Sequence, residues 1–198
     1  MLDWSDGAEA AIAGSEVVTV SDRVMAKLAT TQHPRGPVAV VRTPKLANRP
    51  DSSALVLWGI GDPGNVGTAL RSCAAFGIST VVGPGCADLW NPKVLRAAAG
   101  AHFRGTVVVA PDLTVAQLHT WGLDAVAAVP KGGSRPVFNE QSRVAVLIGG
   151  EGSGLELEVV AECDSTVTLP MPGGVESLNA GVTASLFAYE LSRPLRPA

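Results

Sequence analysis

Three stretches of the 198-residue chain hold most of its chemically capable side chains. In GIGDPGNVGTALRSCAAFG (59–77) an apolar run meets a Pro-Gly turn. Asn65 stands at the expected N-cap of a helix that carries Arg71 about one and a half turns on. An Arg among small and apolar residues either snorkels from a buried face or is aimed at a phosphate or hydroxyl, and residue types alone leave both open. VLIGGEGSGLE (146–156) ends a buried run in a Gly-rich loop bearing Glu151. Glycines let a ligand approach the backbone closely; the plain alternative is an ordinary strand–helix turn. In TLPMPGGVESLNAGVTASLFAYE (168–190) two prolines and two glycines stiffen a loop, and Glu176, Ser177 and Asn179 open a helix. Capping accounts for that polar trio, but a stiff loop after a strand also walls small-molecule pockets.

Other chemistries fit poorly. The spacing from Gly61 to Gly67 is one residue too long for a phosphate-binding loop, and no Lys-Ser/Thr follows. Gly59, Gly61 and Gly64 match the glycine spacing of a dinucleotide site. Pro63 removes a backbone N–H from that loop, however, and the next strand ends in Gly-Pro without an acid. Ser153 is no nucleophile elbow, because Glu151 stands where Gly is needed. His33, His102 and His119 are scattered, so no metal site is expected. The four tryptophans are not interleaved with basic residues and read as core or interface.

The elements that must position these groups alternate. Strands are expected at 39–42, 54–60, 79–83, 106–110, 124–129, 143–150 and 165–170. Helices are expected at 21–31, 66–77, 92–101, 111–121, 154–163 and 177–192. Short continuous apolar strands alternating with helices predict an α/β fold: an open, mostly parallel sheet with helices on both faces. In such sheets ligands bind at the C-terminal ends of the strands, where all three stretches begin. The polar, two-proline segment 43–52 reads as a linker between an N-terminal extension (1–42) and the main domain (53–198).

Composition narrows the class. A chain with 46% hydrophobic and 17% charged residues is not disordered. A net charge of −3 argues against a free-standing, non-specific nucleic-acid binder, although Arg outnumbers Lys. No apolar run is long enough to span a membrane, and the acidic start does not look like a signal peptide, so a cytoplasmic location is expected. Three widely spaced cysteines suit reduced thiols.

In order and spacing, DPGNVGTALRSCAAFG, LIGGEGSGLE and LPMPGGVESLNAGVTASLFAYE resemble the three successive motifs of the SpoU/TrmH family of SPOUT RNA 2′-O-ribose methyltransferases. NPKVLRAAAGA (91–101) is similar to a further helical segment of that family, and the likeness covers about residues 38–191. It implies a C-terminal deep trefoil knot, a homodimer and S-adenosylmethionine as cofactor. By motif, Arg71 becomes the principal catalytic residue, Asn65 its local support, and Glu151, Ser177 and Asn179 complete the site. Cofactor contacts are implied for Gly149, Gly150, Leu169, Met171 and Leu178. The implied substrate is RNA, ribosomal RNA ahead of transfer RNA. The alternative is a catalytically silent RNA-binding or ribosome-assembly protein of the same fold. Residues 15–42 resemble the tail of a longer N-terminal RNA-gripping extension seen in relatives.

Overall fold

The computed structural model describes residues 14–29, 38–139 and 141–193. Residues 1–13 and 30–37 of the expected N-terminal extension therefore lie outside the described residues, with Trp4, His33 and the end of the expected 21–31 helix. The chain divides into two compact units, Met1–Thr43 and Pro44–Ala198.

In the first unit, helix α1 (Asp22–Leu28) follows Ser21, whose side chain makes no capping bond. Asp22 in its first turn and Lys27 in its last suit the helix dipole, but the helix buries none of its residues. The strand expected at 39–42 is not formed, and Val40 and Val41 are exposed. A β-prone run forms a strand only beside a neighbour that completes its ladder.

The second unit is built on β1 (Ala54–Trp58), β2 (Ser79–Val82), β3 (Val107–Val109), β4 (Asp124–Ala128), β5 (Val144–Gly149) and β6 (Ser165–Val167). They form one sheet in the order β3-β2-β1-β5-β4-β6, with every pair parallel. The helices are α2 (Pro63–Phe76), α3 (Pro92–Ala98), α4 (Val115–Thr120), α5 (Leu157–Glu162) and α6 (Ala180–Ser192), with a 3₁₀ turn at Ala101–Phe103. Alternation along β1 divides the core. Leu55 and Leu57 join Val66, Leu70, Val94 and Phe187 beneath α2, α3 and α6. Ala54 and Val56 join Val115 and Leu118 of α4 on the other face, where Val159 of α5 also packs. The expected α/β architecture with helices on both faces is thus present.

Two helix starts differ from expectation. The cap of α2 is Asp62, whose side chain accepts the Asn65 N–H at 2.9 Å. Pro is tolerated in the first turn because its missing N–H would be unpaired there, so Pro63 draws the helix start back to Asp62. Asn65 is left inside the first turn. The last helix starts at Asn179, not at Ser177. Asn179 accepts the Val182 N–H at 3.2 Å, and Glu176 and Ser177 stay in the exposed loop before it.

The segment before β1 is tied to the lower edge of the sheet. The Asp51 carboxylate accepts the Ser79 hydroxyl at 2.8 Å and the Thr106 hydroxyl at 2.7 Å, linking β2 and the approach to β3. Those two hydroxyls hold the Asp51 carboxyl below the usual aspartate range.

Candidate active site

The sheet reverses its winding between β1 and β5, since β2 and β3 lie on one side and β4 and β6 on the other. Such a switch point opens a crevice at the C-terminal strand ends. The turn after β1 and the turn after β5 meet there with almost no room. A Cβ on Gly150 would stand 2.2 Å from the Gly59 carbonyl oxygen. One on Gly149 would stand 2.1 Å from the Gly154 carbonyl carbon. Only glycine permits backbones to pass this closely. The Gly154 N–H donates to the Gly150 oxygen at 3.1 Å, closing the turn that carries the exposed Glu151.

Asn65 joins the three sequence stretches. Its side-chain amide donates to the Glu151 carboxylate, 86 residues away. Its Oδ1 lies toward α6, where a Cβ on Gly181 would be 2.9 Å from Asn65 Oδ1, 3.1 Å from Thr68 Cβ and 3.2 Å from Asn179 Oδ1. Gly181 is therefore the contact point of α2 and α6. One turn along, the Ser72 and Ser185 hydroxyls are hydrogen-bonded at 2.7 Å, and further down Phe76 meets Tyr189 edge to face at 5.7 Å.

Asn65, Glu151 and Asn179 are thus gathered at one place; Arg71 and Ser177 are not. Six residues along a helix turn by about 120° net, so Arg71 leaves α2 on a different face from Asn65. It is exposed, as an Arg presented to solvent or to a ligand must be. Neither the Arg71 nor the Ser177 side chain has a hydrogen-bond partner among the described residues. In the loop between β6 and α6, Leu169 and Met171 are half-buried and Leu178 is 38% exposed. Gly149 and Gly150 stand at the end of β5, in the turn that meets Gly59.

The remaining polar candidates are structural. His102 is buried and donates from Nε2 to the Leu89 carbonyl at 2.9 Å. His119 pairs with Asp164 at 2.9 Å on the surface. All three cysteines are free, and burial pushes Cys73 up to about 12 and Cys163 to about 11, so neither offers a thiolate nucleophile. Among the described residues no three His, Cys, Asp or Glu side chains are grouped to hold a metal. Sequence reasoning missed Asp62 and Gly181. Asp immediately before Pro was a readable helix-start signal. Gly181 had none, because its close contact is made across helices.

The sequence model of the SpoU rRNA Methylase family matches residues 52–189. A tRNA/rRNA methyltransferase of Synechocystis sp., itself uncharacterised, is 35% identical over 182 residues, covering 88% of this chain and 66% of its own length. The 23S rRNA (guanosine(2553)-2'-O)-methyltransferase RlmP of Bacillus subtilis is 29% identical over 185 residues, covering 90% of this chain and 73% of its own. Among solved structures, the SpoU methyltransferase AviRb of Streptomyces viridochromogenes, in complex with AdoMet, superposes with a TM-score of 0.65 at 29% identity. That match covers 73% of this chain and 61% of AviRb. The chain spans slightly less than two thirds of the cyanobacterial relative and of AviRb.

Proposed function

This chain belongs to the SpoU rRNA Methylase family, and from that premise we propose that it methylates a ribose 2′-hydroxyl of RNA, ribosomal RNA foremost, with S-adenosylmethionine as donor. The observation that carries the reading is the meeting of Asn65, Glu151 and Asn179 at the switch point of the sheet. The half-buried Leu169 and Met171, the exposed Leu178 and the backbone of Gly149 and Gly150 fit a largely apolar ligand read by main-chain groups. When bound, the cofactor supplies a methyl group already activated on a sulfonium.

The chain must supply alignment, worth up to about 7–11 kcal/mol for well-placed reactants, and help with the hydroxyl proton. Glu151 holds the Asn65 amide, and Asn179 stiffens the start of α6 against it. The guanidinium of Arg71 offers hydrogen-bond donors and no acceptor. Exposed on α2, it clamps a substrate phosphate and stabilises the developing alkoxide. Ser177, exposed in the loop ahead of α6, completes the substrate contacts.

Three further features belong to the same reading. The knot is supported by the path of the chain around β6. Thr168 Oγ1 donates to the Val129 oxygen at 3.0 Å and accepts the Gly133 N–H at 2.9 Å, while Ser134 bridges to Val167. The homodimer is supported by an apolar stripe on α6 at helical spacing: Val182, Leu186 and Tyr189 are 46%, 41% and 39% exposed. Residues 1–42 serve as the tail of an RNA-gripping extension ahead of the 43–52 connection, and the enzyme works in the cytoplasm.

Calorimetric titration with S-adenosylmethionine tests the reading. Saturable binding at one site per chain is expected. Absence of binding at millimolar ligand contradicts it.

A further inference from the structure

A second cavity opens on the other side of the turn after β1. It lies at the C-terminal ends of β2 and β3 and measures about 260 Å³. Leu46, Gly85, Cys86, Asp88, Trp90 and Val109 line it. Its lip, residues 83–87, is sewn to the β1 turn: the Gly59 N–H donates to the Pro84 oxygen at 2.8 Å and the Ala87 N–H to the Ile60 oxygen at 2.9 Å. Gly59 is the common wall of the two sites. A Cβ on Gly85 would lie 3.3 Å from Gly59 Cα, on the opposite flank from the Gly150 contact.

We propose that this cavity receives a nucleobase carrying an exocyclic amino group, from the RNA that the switch-point site methylates; the inference rests on the reading above. A ribose on the Gly59 turn has its base within reach of one flank and the methyl-transfer residues on the other. The half-buried Trp90 indole supplies a stacking surface, held from behind by His102 with ring centroids 5.2 Å apart. Leu46 and Val109 add apolar walls. Asp88 is the exposed polar group of the lining, and an ionised carboxylate only accepts hydrogen bonds. One of its oxygens already accepts the Trp90 backbone N–H at 3.0 Å, which fixes the side chain at the rim. The second oxygen is the partner for an amino group, which a guanine offers and a hypoxanthine lacks.

The test is amide and indole NMR of the full chain, titrated first with S-adenosylmethionine and then with guanosine or inosine 5′-monophosphate. Guanosine monophosphate is expected to shift the Gly85 and Asp88 amides and the Trp90 indole N–H saturably. Inosine monophosphate is expected to bind about ten- to a hundredfold more weakly, the effect of one hydrogen bond to a charged group. Asp88→Asn keeps the acceptor for the Trp90 backbone N–H and is expected to erase that difference. If guanosine monophosphate leaves residues 83–90 unmoved, or both nucleotides bind equally to the wild-type chain, the inference is overturned. Failure of S-adenosylmethionine to bind is a separate result: it overturns the methyl-transfer reading, while the base pocket is judged on the nucleotide arms alone.

Discussion

The side-chain amide of Asn65 donates to the carboxylate of Glu151, and this one bond joins the first turn of α2 to the turn after β5. The two residues stand 86 positions apart and are brought together because β1 and β5 are sheet neighbours. Neither is buried, so the bond contributes little to stability and much to the placing of groups at the crevice. Asn65→Ala and Glu151→Gln are each expected to lower single-turnover methyl transfer by about 10²-fold, the scale of misplacing a reacting group by 1 Å. Their melting temperatures are expected to stay near wild type. The double variant should lose no more than the worse single one, because the two act as a unit.

Gly181 sets the approach of α6 to α2. Its added methyl would press on Asn65 Oδ1, Thr68 Cβ and Asn179 Oδ1, all within 3.2 Å. Gly181→Ala is expected to cost about 1–3 kcal/mol by overpacking, outweighing the gain in helix propensity. Urea denaturation reads the change in midpoint. An unchanged midpoint would mean the two helices slide apart freely.

Much of this was legible in the sequence, for reasons that differ by element. The buried strands ALVLW and VAVLIG are continuous apolar runs because both faces of a parallel sheet are covered. Their pairing was not legible, since nothing local says that β5 lies beside β1 and β2 on its far side. The same limit applies to the site. Asn65, Glu151 and Asn179 could be named one by one, but their meeting depends on the β1–β5 pairing and on the α2–α6 crossing at Gly181. The run at 39–42 has strand-forming residues and stays exposed, because propensity does not supply a partner.

Arg71 is exposed on α2, and its side chain has no hydrogen-bond or ion-pair partner among the described residues. Arg71→Lys should therefore leave the melting temperature unchanged. As a planar, two-pronged clamp on phosphate it has no equivalent in a lysine ammonium. Methyl transfer by the lysine variant is expected to fall about tenfold or more, with the loss seen in KM for RNA as well as in kcat. Activity near wild type contradicts the clamp.

Asp51 gives the fold an acid-sensitive joint. Its carboxyl is held below the ordinary 3.8, chiefly by the Thr106 hydroxyl and then by the Ser79 hydroxyl. A lowered folded-state pKa means that the joint contributes fully above 3.8 and is lost as pH falls through the folded value. Stability of the wild type should thus drop below about pH 4, where unfolded aspartates protonate. Asp51→Asn is expected to flatten that part of the profile, measured by denaturation across pH 2 to 7. A profile identical to wild type would show that the joint carries no pH dependence.

Ribose methylation is decided by where the methyl group lands. Ribosomal RNA lacking its modifications, incubated with this chain and methyl-tritiated S-adenosylmethionine, can be hydrolysed completely in alkali. A 2′-O-methyl group blocks the attack of that hydroxyl on its own phosphodiester, so the label is predicted in alkali-resistant dinucleotides and is predicted to fall about 10²-fold with Asn65→Ala. Label in mononucleotides, which marks a methylated base, or no label at all, contradicts ribose methylation by this chain.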